Sequence, residues 1–189
     1  MKSIFEAFPV SNEEYAELDQ EFGKLAYAIA WQLLKKNTKN NHTDDLEDIV
    51  QELRLSIVRA ASYYKRQVYI EECFDVASKY IVDPMTLLVL DQLKVLWGNR
   101  TKHGANRIVF GPPQEEILET IIQSYVPENV RPNREANLQV HKIYTINGKS
   151  TSFAAYCKAI TWNCQKTMGK KITKEKAVRF GLASLSEHD

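Results

Sequence analysis

DDLEDIVQELRLSIVRAASYYKR, residues Asp44 to Arg66, reads as a helix with two dissimilar faces. Leu46, Ile49, Val50, Leu53, Ile57, Ala60, Ala61 and Tyr64 recur at helical spacing and share one wide stripe. Such a stripe packs into a core. Asp44 opens the helix, and Glu47 stands at the reciprocal capping position. The other face carries Asp48, Gln51, Glu52, Leu55, Arg59 and Ser62. Leu55 is the odd member. A single exposed leucine is ordinary on a protein surface. An apolar side chain inside a polar rim is also the anatomy of a partner surface. The wheel admits both readings.

The flanking segments continue the helical theme. Leu18, Phe22, Leu25, Ile29 and Leu33 predict a helix from about Asn12 to Lys36, with Ser11 and Glu14 as a capping box. NTKNNHT is a polar break. Tyr69 to Tyr80 reads as a separate short helix. Asp83-Pro84 reads as an N-cap followed by proline at the first helical position, opening a helix to Gly98. NRTKHGANRIVFGPP is a basic loop with breakers, and its KHGANR part could touch phosphates or be solvated. PQEEILETIIQSYV predicts a further amphipathic helix. KIYTI with Asn147-Gly148 is compatible with a small hairpin. A last long helix is expected from about Thr151 to Lys171. The fold class is therefore mainly α.

Composition narrows the function classes. The chain has 189 residues, enough for one domain, or one domain with a large insertion. Net charge is +1, so the total does not point to a polyanion. Three cysteines without a CxxC pair suit free thiols in a reducing cytoplasm. The four histidines are scattered, and no metal or other cofactor is expected. No P-loop or nucleophile–base arrangement is recognisable, so an enzyme is not expected. MKSIFEAFPVSNEE lacks a signal-peptide apolar run, and LAYAIAWQLL is too short to cross a bilayer. A cytoplasmic protein with no membrane partner is the expectation.

The distribution of charge is more informative than its sum. The opening helix begins with Asp44, Asp45, Glu47, Asp48 and Glu52. From Lys149 to Arg179 the only acid is Glu175, among Lys149, Lys158, Lys166, Lys170, Lys171, Lys174, Lys176 and Arg179. In FAAYCKAITWNCQKTMGKK, Phe153, Tyr156, Cys157, Ile160, Cys164 and Met168 form the predicted core face. Ala155, Lys158, Ala159, Trp162, Gln165 and Lys166 face outward, with Lys170 at the margin. Lysines neutralise phosphates, and an indole can receive an unstacked base. The alternative is a solvated basic helix end favoured by the helix dipole.

DLEDIVQELRLSIVRA resembles the second region of bacterial sigma factors. Asp45, Glu47, Asp48, Ile49, Val50, Gln51 and Glu52 follow in order the pattern of the extracytoplasmic-function group. The resemblance implies that the outward face grips the clamp coiled coil of the largest subunit of core RNA polymerase. Gln51 and Glu52 would be the principal contacts, with Asp48, Arg54, Leu55, Val58 and Arg59 around them. LAYAIAWQLLKK resembles the helix that packs beneath it. Phe153, Tyr156, Ile160 and Asn163 match the family's DNA-capturing helix in register, and Lys166, Lys170 and Lys171 occupy its basic part. That assigns promoter DNA to Tyr156, Lys158, Trp162, Asn163, Gln165, Lys166, Lys170 and Lys171. Ala159 and Ile160 stand where primary sigma factors carry paired melting tryptophans, which departs from the pattern.

The resemblance covers about Glu21 to Arg66 and Thr151 to Arg179. It implies a helical sigma region-two-like domain made of residues 1–68 and 149–189, with 69–148 as a largely helical insertion. The residues after the basic helix are too few for a helix-turn-helix domain, a layout similar to the minimal late sigma factors of T-even-like phages. The implied partners are then core polymerase, promoter DNA and a coactivator protein, in the cytoplasm of a bacterial host. The tail LASLSEHD is only a faint echo of that family's clamp-binding motif and is assigned no contact. The competing reading is a regulator that occupies polymerase as a sigma domain does without opening DNA.

Overall fold

A computed structural model describes residues 3–37, 43–99 and 110–164. It is mainly helical with one antiparallel two-stranded hairpin. The elements are α1 (Ile4–Ala7), α2 (Asn12–Asn37), α3 (Thr43–Tyr80), α4 (Pro84–Gly98), α5 (Pro112–Tyr125), a short 3-10 turn (Glu128–Val130), β1 (Ile143–Ile146) and β2 (Lys149–Ser152). A last helix, α6, occupies residues 153–164 of the described chain. KHGANR, Gln165, Lys166, Met168, Lys170, Lys171 and the tail lie outside the described residues.

Two expected boundaries are corrected. Asp44–Arg66 and Tyr69–Tyr80 are not two helices but parts of the 38-residue α3, which begins at Thr43. The polar run Lys65-Arg66-Gln67 does not interrupt the helix, because Lys65 and Arg66 find partners inside the fold, described below. The last helix starts two residues after the expected Thr151, since Thr151 and Ser152 complete β2. The Ser152 hydroxyl then accepts the Ala155 N–H at 3.1 Å and caps α6.

The chain divides into two compact units. One comprises the described residues within 10–62, 137–142 and 152–189. Its core joins Ala26, Ile29, Ala30, Leu33 and Leu34 of α2 to Leu46, Ile49, Val50 and Leu53 of α3. Leu25 and Cys164 pack against that cluster, which seats α6 on it. Ser11 and Glu14 form the expected capping box, at 2.9 and 3.1 Å. Glu14 is buried, and its second oxygen accepts the Leu138 N–H at 2.7 Å. The Ala154 N–H in turn donates to the Val140 carbonyl at 2.9 Å. A chain of hydrogen bonds therefore links the start of α2 to the start of α6.

The other unit comprises the described residues within 1–9, 63–136 and 143–151. Asp83 caps α4 as expected, accepting from the Thr86 N–H at 2.9 Å and the Thr86 hydroxyl at 2.6 Å. Those bonds hold the Asp83 carboxyl below its ordinary range. α4 packs on α5, whose C-terminal carbonyls Gln123 and Val126 accept from the Arg131 guanidinium, each at 2.9 Å. Asn147 and Gly148 both have positive φ, 50° and 71°, as a two-residue type I′ hairpin turn requires. Glu71 anchors this turn. Its Oε1 accepts the Asn147 N–H and the Trp97 indole N–H, both at 2.7 Å.

Candidate functional site

The outward face of α3 is built by a complete inward one. All eight stripe residues, from Leu46 to Tyr64, are buried. Their burial fixes the rotation of the helix, so Asp48, Gln51, Glu52, Leu55 and Arg59 stand at the surface. Leu55 is 42% exposed. From Asp48 to Arg59 this surface runs about 16 Å along the axis. Internal pairing across it is slight. Arg59 lies 4.0 Å from Glu52, at the limit of an ion pair.

Two of the sequence-assigned contact residues sit at the edge of this face. Val58 is half-buried. Arg54 is half-buried too, with its Nε 3.0 Å from Asp19 of α2. The Nε–H does not align for a hydrogen bond there, so the contact is an ion pair that positions the guanidinium against α2. Ser62 is a correction. The wheel places it beside Leu55, yet it is only 1% exposed. A wheel gives direction but not what tertiary structure covers, and the polar face ends before Ser62. Among the described residues its hydroxyl has no hydrogen-bond partner, whereas the buried Ser56 hydroxyl donates to the Glu52 carbonyl at 3.0 Å.

α6 presents the second face. Phe153, Ala154, Cys157 and Thr161 are buried, while Tyr156, Ile160 and Cys164 are half-buried. Thr161 is an unexpected core residue; its hydroxyl donates to the Cys157 carbonyl at 2.8 Å and so needs no other partner. Ala155, Lys158, Ala159, Trp162 and Asn163 are exposed, Trp162 at 43%. Of the residues assigned to DNA, Lys158, Trp162 and Asn163 are surface groups of α6. Tyr156 is half-buried, which leaves less of its ring for a base. Burial pushes the Cys157 thiol up to about 12, so it is neutral and unreactive at physiological pH.

Three features went unnoticed in the sequence. On α2, Lys24, Tyr27, Ala28, Trp31 and Lys35 are exposed at helical spacing, which the same wheel used for α3 would have found. On α4 the apolar residues are not confined to the buried side. Met85, Leu88, Val89 and Val95 are exposed; Met85 and Val89, with Ile117 and Tyr125 of α5, line an open groove of about 670 Å³. The third is an ionic cluster in which Arg66 meets Glu115 at 2.8 Å and Arg134 pairs with Glu119. The Arg134 guanidinium also lies 5.1 Å from the Phe8 ring centroid and 5.3 Å from that of Tyr69. These long-range partners carry no signature in local sequence.

Among the described residues no His, Cys, Asp or Glu cluster could hold a metal ion. Among them, too, no helix is long and apolar enough to cross a membrane. Comparison with family models, with curated proteins and with solved structures finds no match for this chain.

Proposed function

We propose that this chain is a sigma-like transcription initiation factor. It binds the clamp of bacterial core RNA polymerase through the Asp48–Arg59 face of α3. It engages the upstream promoter element through the Lys158–Trp162 face of α6, with phage late genes as its targets. One observation carries the reading. Within the sigma-like run, Leu46, Ile49, Val50 and Leu53 are inside, and Asp48, Gln51, Glu52 and Leu55 are outside. These four outward residues are among those that the resemblance assigns to polymerase.

In this reading the protein makes and breaks no bond. The α3 face supplies charge and an apolar centre for a partner surface. Trp162 and Lys158 favour separated strands, because a stacked base and its phosphates are available only when the duplex is open. Binding energy available only to the open state shifts the duplex equilibrium toward opening.

A second reading, a polymerase-bound regulator that does not open DNA, is favoured by one feature. Where primary sigma factors place two melting aromatics, this chain has exposed Ala159 and half-buried Ile160. Run-off transcription with core polymerase on the DNA of the encoding genome separates the two. Specific initiation supports the first reading. Polymerase binding without specific initiation supports the second. Trp162→Ala is expected to reduce open-complex formation more than polymerase binding; equal loss of both would make Trp162 a structural residue.

A further inference from the structure

We infer that the outer face of α2 is a second nucleic-acid contact, a platform for single-stranded DNA or RNA that acts without polymerase. Tyr27 is 48% exposed and Trp31 is 43% exposed. They are four residues apart, so they neighbour each other on one helix face, separated by about 6 Å along the axis. Among the described residues neither ring contacts another aromatic or a cation. Lys24 and Lys35 lie on the same face at either end, about 16 Å apart along the axis. Both are exposed, and neither is in an ion pair among the described residues.

The order along the face is cation, aromatic, aromatic, cation. Core packing does not account for it, because the core side of α2 is already complete with Ala26, Ile29, Ala30, Leu33 and Leu34. Solubility does not account for the aromatics. Base-stacking platforms combine these two elements, with rings that receive bases of any sequence and cations that track the phosphates. Ala28 keeps the surface beside the rings low, leaving room for a base plane. A protein partner could also cover exposed aromatics, but flanking lysines with no acidic partner among the described residues favour a polyanion.

The test uses the full chain without polymerase, so its result does not depend on the initiation-factor reading. Fluorescence anisotropy would follow binding of a dye-labelled oligothymidylate of about twelve nucleotides, and of the same length of duplex. The wild type is expected to prefer the single strand. Tyr27→Ala with Trp31→Ala should weaken single-strand binding about tenfold or more, in the parent and in a Trp162→Ala background. Tyr27→Phe with Trp31→Phe should retain most of it. Lys24→Ala with Lys35→Ala should lower the salt slope by about 1.4, the value for two phosphates of a single strand. Unchanged oligonucleotide affinity in the double alanine variant, with native circular dichroism, would overturn the inference. So would an equal loss on duplex and single strand. Loss of core-polymerase binding with oligonucleotide binding intact would assign the face to protein instead.

Discussion

The two halves of α3 treat charge in opposite ways. Before Ser62, Glu47, Asp48, Glu52 and Arg59 are exposed, and only Arg54, half-buried against Asp19, has a close ion-pair partner among the described residues. After it, charged residues are engaged. Lys65, only 3% exposed, donates to the Pro9 carbonyl at 2.6 Å. Arg66 meets Glu115, the Tyr69 hydroxyl donates to Glu119 at 3.1 Å, and Glu71 holds two N–H groups. One helix thus uses the same residue types to hold a fold together and to leave a surface open. Polar groups saturated inside the molecule have nothing left for a partner; those on the first half do.

Mutation can break or sharpen this contrast. The largest effect is expected at Glu71. Glu71→Ala leaves the Trp97 and Asn147 N–H groups without their acceptor and should cost about 2–4 kcal/mol in urea unfolding. Glu52→Ala should stay within about 0.5 kcal/mol. Equal costs would end the distinction. Next, Gln51→Ala with Glu52→Ala should weaken core-polymerase binding at least about tenfold, or ~1.4 kcal/mol, with the melting temperature unchanged. Unaltered affinity in a pull-down titration would remove the proposed interface.

pH gives a subtler probe. Burial pushes the Cys73 thiol from 9.0 up to about 12, and raises Tyr69 from 10.0 to about 12. Both neutral forms are favoured by the fold. The unfolded chain therefore releases these protons first, and stability present below pH 9 is lost as pH rises toward 12. Cys73→Ala should flatten that decline, measured by denaturation at stepped pH; an unchanged slope would mean that Cys73 contributes nothing to it. The smallest effect is expected from Arg59→Ala. Its 4.0 Å contact with Glu52 is exposed, so the stability change should be under about 0.5 kcal/mol. A loss well above that would place Arg59 among the saturated residues of the other half.

Much of this was legible in the sequence, for local reasons. Ser11 with Glu14, Asp83 with Pro84 and Asn147 with Gly148 act through backbone groups two to four residues away, so each could be read in place. The stripe from Leu46 to Tyr64 followed from helical period alone. Length was harder. Lys65 and Arg66 looked like the end of a helix because their partners, Pro9 and Glu115, are far off in the chain. Ser62 misled for the converse reason, and Thr161 was assigned to neither face: small hydroxyl residues can be buried, and at Thr161 the helix itself supplies the acceptor. The α3 face was seen because a leucine broke its polarity. The α2 stripe was missed because its apolar side alone was read.

Glu71 also bears on the order of folding. Its two partners are 26 and 76 residues away along the chain. Bringing together ends so far apart costs entropy that grows with the logarithm of the span, on the order of 3–4 kcal/mol for the longer one. The 38 residues of α3 can propagate by near-neighbour contacts before that closure. The hairpin turn is then expected to dock after the transition state. Glu71→Ala should accelerate unfolding while leaving the refolding arm of the chevron nearly unchanged; slowed refolding would put the turn in the nucleus. A single carboxylate oxygen would act as a late latch, setting how long the folded state persists rather than how quickly it is reached.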